Sequence, residues 1–321
     1  MKNNFRNIIG LLVLLFILGG CKKTTYHMGD LVEPTNVVLN TEIVGQDAAH
    51  PDGDGSGDVK IHITGDNAVG FKVDYDATTG VNLVYLPAAG ITHKYTTLGT
   101  HTYTITAVVY GSGGTATSVS KDVTVLSTFA PSAEMVTAIT NDASKTWHIA
   151  NDVTGHFGVG PWDPNSVRPE WYAAPPNDKA ACCHCFYSAT FTFTKLATSP
   201  ATFTLQVATP EGAFTKTGAL AGGLPGIPAS GGEACYPYAG GSSSIAFVPA
   251  SAGVALTPDA SHPLNSPSTG VSILLDGVNT FIGYGAVLKE YEILTYDANT
   301  MYLRVQGTET GNAWYLRLIP Q

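Results

Sequence analysis

The sequence predicts an all-β protein of two domains, and three observations carry that reading. Apolar and β-branched residues alternate with polar ones in short runs, clusters of Gly, Asn and Asp separate the runs, and no long stretch has helical periodicity. The composition agrees. A chain of 321 residues with 44% hydrophobic and only 13% charged side chains, 35 Gly and 19 Pro suits a folded, turn-rich protein rather than a disordered chain or a helical bundle. At roughly 100 to 200 residues per domain, two domains each have enough chain to bury a core. The 16 Lys and Arg stand against 25 Asp and Glu, a net charge of −9, which disfavours nucleic acid and other polyanions as partners.

Residues 1–20 read as a lipoprotein signal peptide. Lys2 and Arg6 precede an apolar run from Ile8 to Leu18, too short to span a bilayer comfortably, and Gly19-Gly20-Cys21 closes it. This arrangement resembles a bacterial lipobox, which implies lipidation of Cys21 and a mature chain held to a membrane by acyl chains. Loss of Lys2 and Arg6 with the leader takes the net charge from −9 to −11. Residues 21–35 then serve as a tether.

Residues 36–126 read as a β-sandwich. Val59-Lys60-Ile61-His62-Ile63, Phe71-Lys72-Val73-Asp74-Tyr75 and Tyr103 to Val108 have strand character, and Gly53 to Gly57 and Gly111 to Gly114 supply the positive-φ positions of tight turns. After Lys121 to Leu126, Pro131 and its small neighbours interrupt the pattern, which puts the domain boundary at 127–132. Pro51 to Gly57, Gly70 to Tyr75 and above all His93-Lys94-Tyr95-Thr96-Thr97-Leu98-Gly99-Thr100-His101-Thr102-Tyr103-Thr104-Ile105-Thr106 resemble a PKD-type domain. The Trp-Asp-Phe-Gly-Asp-Gly core motif usual in that family is replaced here by Phe71 to Asp76. The resemblance implies an immunoglobulin-like sandwich acting as a spacer that projects the second domain from the membrane.

Asp52, Asp54, Ser56 and Asp58 alternate in a glycine-rich loop, a spacing that gathers oxygens round a calcium ion. An EF-hand would need a glutamate where Ile63 stands, so only a looser loop site survives, beside the alternative of a solvated acidic turn. No other cofactor is expected.

The second domain, residues 133–321, carries all four tryptophans, and Trp147, Trp162 and Trp171 fall within 25 residues. Trp147 and Trp314 sit in alternating runs and read as core. Trp162 and Trp171 instead lie on a long Gly- and Pro-rich stretch from Thr154 to Pro176, where large aromatics usually have a purpose. Sugar rings present C–H faces that pack on indoles, while their hydroxyls need carboxylate, amide or guanidinium partners. On that chemistry Trp162, Trp171 and Tyr172 are candidate platforms. Asp163, Asn165, Arg168 and Glu170 are candidate hydroxyl partners, and His156 is a neutral donor and acceptor.

Cys182, Cys183, Cys185 and Cys235 favour disulfides in a secreted chain. A bond between the adjacent Cys182 and Cys183 needs a strained ring, so Cys235 is expected to pair with one member of the cluster. Zinc is disfavoured because no second ligand pair follows Cys182-Cys183-His184-Cys185. The remaining strand runs, from Ala189 to Leu318, suit a jelly-roll-like sandwich, with a lipocalin-like barrel as the alternative because the closing strands follow one another as a meander. Residues 218–232 read as a long loop.

The order of lipobox, PKD-like module and Trp-rich β-domain, together with Gly155 to Pro161, Glu170 to Pro175 and Trp314 to Leu318, resembles surface glycan-binding lipoproteins of Bacteroidota polysaccharide-utilisation systems. Tyr187-Ser188-Ala189 stands where related sequences often carry an Asp-Asp pair. The resemblance implies an outer-membrane, cell-surface protein that binds a polysaccharide, a β-glucan such as laminarin, without cleaving it. It also implies an outer-membrane glycan importer and secreted glycoside hydrolases as partners. Two alternatives stand beside it. A glycoside hydrolase would need two carboxylates at a set separation, and neither the Glu-x-Asp-x-x-Glu pattern nor Gly-x-Ser-x-Gly nor His-Glu-x-x-His occurs. A structural or adhesive surface protein would need no tryptophan exposed in a saccharide-sized groove.

Overall fold

A computed structural model describes residues 31–86, 90–198, 201–255, 257–258 and 260–321. The leader and Cys21 lie outside the described residues. The chain divides into two compact units, one holding 31–41, 60–92 and 103–123 and the other 42–59, 93–102 and 124–321. Nearly all regular structure is β, as the alternation requires.

Two sandwich-like sheets occupy residues 35–127. The first pairs β1 (Thr35–Ile43), β2 (Asp58–Asp66) and β5 (Ile91–Lys94), and the second runs β4 (Val84–Leu86), β3 (Gly70–Asp74), β6 (Gly99–Tyr110) and β7 (Ala116–Ser127). Period-2 alternation gives each sheet one apolar face. Val59, Ile61 and Ile63 are buried along β2, as are Ile105, Ala107 and Val109 along β6.

A short helix, α1 (Ala133–Thr140), precedes the second domain's strands. It was not expected, because one and a half apolar turns leave too little periodicity to read. Its signal is local: Ser132 caps the first turn by accepting the Met135 N–H at 3.2 Å, and Asn141 ends it in the left-handed region.

Eight strands then close into an antiparallel barrel. They are β8 (Ser144–Ile149), β11 (Thr190–Leu196), β12 (Thr202–Ala208), β15 (Gly240–Pro249), β16 (Val271–Leu275), β17 (Val287–Tyr296), β18 (Met301–Gly307) and β19 (Asn312–Pro320), with β19 returning to pair with β8. Each barrel strand pairs with the next in the chain, which is the up-and-down meander of the lipocalin-like alternative rather than the Greek-key order of a jelly roll. The sequence could not separate the two, since both place alternate side chains inward.

An eight-stranded barrel is just wide enough for side chains to fill. Trp147, Phe191, Phe193, Leu205, Val207, Ile273, Tyr291, Ile293, Leu303, Val305, Leu316 and Leu318 do so. Near β8 the interior is covered by α1, where Met135, Val136 and Ile139 join the core and Trp147 Nε1 donates to the Ile139 carbonyl at 2.9 Å. The first half of β19 pairs instead with β9 (Phe157–Pro161), and there Phe157 stacks on Trp314 with centroids 5.0 Å apart. Trp147 and Trp314 are thus core residues, as their strand positions suggest. Between β12 and β15 the chain leaves the barrel as a hairpin of β13 (Ala213–Thr215) and β14 (Ala234–Tyr236), joined through the loop at 216–233.

Candidate functional site

The aromatic stretch is a loop between β9 and β10 (Tyr172–Ala173), which pairs back on β9 with Tyr172 opposite Val159. Gly158 and Gly160 let it fold so closely: a side chain at Gly160 would collide with the Arg168 carbonyl, and one at Gly158 with the Pro169 ring. Asp163 accepts the Asn165 N–H at 2.8 Å to make the turn, and Ser166 donates to Glu170 at 2.6 Å while Glu170 also pairs with Arg168. Three of the expected hydroxyl partners, Asp163, Arg168 and Glu170, are therefore already engaged in shaping the loop.

The loop lies on the outer face of the barrel. Val167 is buried there against Leu294, Tyr302, Ala313 and Tyr315, and its N–H donates to Asn265 Oδ1 at 3.0 Å. Strand register aligns Ser272, Glu292, Arg304 and Tyr315 in one outward row across β16 to β19. Arg304 and Glu292 are both buried, at 1% and 2% exposure. The Trp162 ring covers the Arg304 guanidinium, with the central carbon 4.2 Å from the ring centroid. Arg304 donates to the Asp163 carbonyl at 2.8 Å and to Glu292 at 3.4 Å, and Glu292 also accepts from Ser268 Oγ at 2.6 Å. Arg304 Nε and Ser272 Oγ are buried with no partner.

Beside this row opens a small cleft of about 70 Å³. Trp162 forms one wall and Ser251 and Ala252 line it too, with Leu288, Glu290, Glu292 and Gln306 supplied by β17 and β18. Glu290 accepts from both the N–H and the hydroxyl of Ser251, at 2.8 and 2.7 Å. That is well below the size of a typical ligand cleft, so only the edge of a ligand fits it, while one aromatic wall with a few convergent polar groups is the composition such sites use. Sequence reasoning did not single out Arg304, Leu288, Glu290, Glu292 or Gln306. The usable signal was charge at outward positions of apolar strands, Tyr302-Leu303-Arg304-Val305 and Glu290-Tyr291-Glu292-Ile293.

The other expected residues are dispersed. Trp171 is 57% exposed on the same loop. Tyr172 points elsewhere: its hydroxyl donates to Asp178 at 2.5 Å, and the Lys179 amine lies 5.5 Å from its ring centroid. Burial and that bond push the Tyr172 hydroxyl's pKa up, while the donated bond holds Asp178 down. His156 corrects the expectation of a surface donor and acceptor. It is fully buried, with Nδ1 2.7 Å from the Val153 carbonyl and Nε2 2.8 Å from the Tyr187 hydroxyl, and burial lowers its pKa. No ligand reaches it without displacing those partners.

Cys185 and Cys235 form a disulfide that ties the single helical turn α2 (Cys185–Ser188) to β14. Cys182 is exposed and Cys183 buried, both as thiols. In the 52–58 loop, Asp58 pairs with Lys94 at 2.8 Å, Asp54 accepts the Ser56 N–H at 2.9 Å, and the Asp52 carbonyl accepts from Leu126. Among the described residues no group of three or more His, Cys, Asp or Glu is arranged to hold a metal ion. Among them, too, no helix is long and apolar enough to cross a membrane.

No known protein family matches the chain, and no curated protein matches it. Among solved structures, the PKD1 domain of Vibrio anguillarum Epp is 15% identical, with 29% of this chain and 98% of that domain covered at a TM-score of 0.21. Carbohydrate-binding modules from the β-sandwich superfamily are represented at 9% identity, 91% and 93% coverage and a TM-score of 0.24. A 1.5-MDa bacterial ice-binding adhesin is similar at 9% identity, 92% and 98% coverage and a TM-score of 0.20. Superpositions this loose carry no argument about activity, and the assignment of this chain to the all-β class rests on its own strand pairing.

Proposed function

We propose that this chain is a non-catalytic surface lipoprotein, anchored in the outer membrane through Cys21, whose barrel domain holds a polysaccharide, a β-glucan such as laminarin. The observation that carries the reading is the cleft in which Trp162 faces Glu290, Glu292 and Gln306. A flat indole wall opposite hydrogen-bond acceptors is what a sugar ring, apolar on its face and hydroxylated at its edge, requires. The Trp171 ring on the same loop offers a second apolar surface to a long chain. The guanidinium of Arg304 occupies one face of Trp162, so the platform is one-sided and affinity per site is modest. Many copies on one membrane would engage one polymer, and avidity then supplies the retention. The PKD-like module acts as the spacer.

One observation favours hydrolysis as a second reading. Glu290 and Glu292 line the same cleft two residues apart on one face of a strand, and hydrolysis of a glycosidic bond uses two carboxyl groups flanking one site. Against it, both carboxylates are already engaged within the protein, Glu292 with Arg304 and Ser268 and Glu290 with the N–H and hydroxyl of Ser251.

Calorimetry of the protein against a polysaccharide panel led by laminarin and mixed-linkage β-glucan tests the proposal, with reducing ends assayed in the same samples. Saturable binding that Trp162→Ala weakens at least tenfold, with no reducing ends released, is the expected outcome. Release of reducing ends would establish the hydrolase. Absence of heat with every glycan would move the protein to a structural or adhesive role.

A further inference from the structure

Resting on the polysaccharide reading, we infer that the Trp162 cleft selects uncharged chains and rejects uronate-bearing and sulfated ones, with Glu290 as the residue that sets this choice. The argument is a census of what the walls present. Glu290 and Glu292 both contribute carboxylates to the lining. The cation nearest them, Arg304, is sealed beneath Trp162 and is spent on Glu292 and the Asp163 carbonyl. Among the neutral donors of the lining, the Ser251 N–H and hydroxyl go to Glu290, and the Gln306 side-chain amide donates to the Thr310 carbonyl at 2.6 Å. What a ligand meets is therefore an indole and two carboxylates, with no lysine or arginine among the lining residues.

Such a lining matches a neutral hexose, whose hydroxyls donate, and repels a carboxylate or sulfate, which can only accept. Glu292 is neutralised by its buried partner, whereas Glu290 has only neutral donors and keeps its full field in the cleft. A second anion within about 6 Å of Glu290 at a partly desolvated site is disfavoured by enough to lower affinity at least tenfold.

The test compares laminarin with laminarin sulfate, the same backbone without and with charge, by calorimetry on the whole protein, counting only the heat that Trp162→Ala removes. Laminarin is expected to bind at least tenfold more tightly at low ionic strength. The gap should narrow as salt is added and in Glu290→Gln, which keeps an acceptor for Ser251 while removing the charge. Circular dichroism of that variant verifies its fold. Sulfated chains binding as tightly as neutral ones through Trp162, or a gap untouched by Glu290→Gln in a folded variant, would overturn the inference and leave the polysaccharide reading standing. Failure of every neutral glycan to bind would instead remove the reading on which it rests.

Discussion

His156 illustrates how a single buried side chain ties a stretch of loop to the helical turn α2. Its Nδ1 meets the Val153 carbonyl, which can only accept, so that nitrogen carries the proton and Nε2 accepts from the Tyr187 hydroxyl. Tyr187 in turn accepts the Lys179 N–H at 2.9 Å. Protonating Nε2 would set two donors against each other. Burial accordingly holds the His156 pKa below its ordinary 6.5, and burial drives His93 down to about 4. Because both folded values lie below the unfolded ones, the unfolded chain takes up protons first on acidification. Stability is full above about pH 6.5 and declines as pH falls toward the folded values. Urea unfolding between pH 7 and 5 should show that decline in the wild type and a shallower one in His156→Gln, with His93 contributing to what remains. Arg304 shows the opposite economy. It was legible in the sequence only as a charge in an apolar strand, because its burial depends on a loop more than 130 residues earlier folding over it.

At the level of elements, alternation located the strands of both domains well, since burial on one face is a local pattern. It failed where the pattern was too short or where closure mattered. The eight residues of α1 contain four buried ones, too few to establish a period. Whether the strands curl into a barrel depends on β19 meeting β8, a pairing of Leu318 with Ile149 across most of the domain. The cleft was half legible: Trp162 stood out by its loop, while Glu290, Glu292 and Gln306 sit in strands whose outward face gives no hint of what lies above. The disulfide is the clearest lever on a single element. It closes a 50-residue separation between α2 and the β13–β14 hairpin, which corresponds to about 4 kcal/mol of loop-closure entropy at most. Cys185→Ala with Cys235→Ala should lower the melting temperature of the barrel domain by roughly 10 °C, read by differential scanning calorimetry. Burial pushes the neighbouring Cys183 thiol up to about 12, so it stays protonated and attacks the bridge slowly, which protects the pairing.

Across the molecule, the barrel and the N-terminal sheets manage their edges differently. The barrel's eight strands leave no open edge where β8 and β19 pair, whereas the sheets of residues 35–127 end in β1, β5, β4 and β7, whose outer sides are unpaired within the sheet. Hydrogen exchange followed by mass spectrometry should therefore find β8 and β19 protected like the barrel's other strands, with β1 and β4 exchanging earlier. Early exchange confined to β8 and β19 would mean that the seam breathes and the barrel is in effect an open sheet. Closure at that seam also sets an order of events on the ribosome. β8 emerges near the start of the domain and cannot complete its pairing until residues 312–320 have left the exit tunnel. Through the intervening synthesis the inward faces of β8 and β11, including Trp147 and Phe191, await the strand that seals them. A nascent chain halted before residue 312 is consequently the form that chaperones and proteases should engage, and release of the last strand is the step that ends their access.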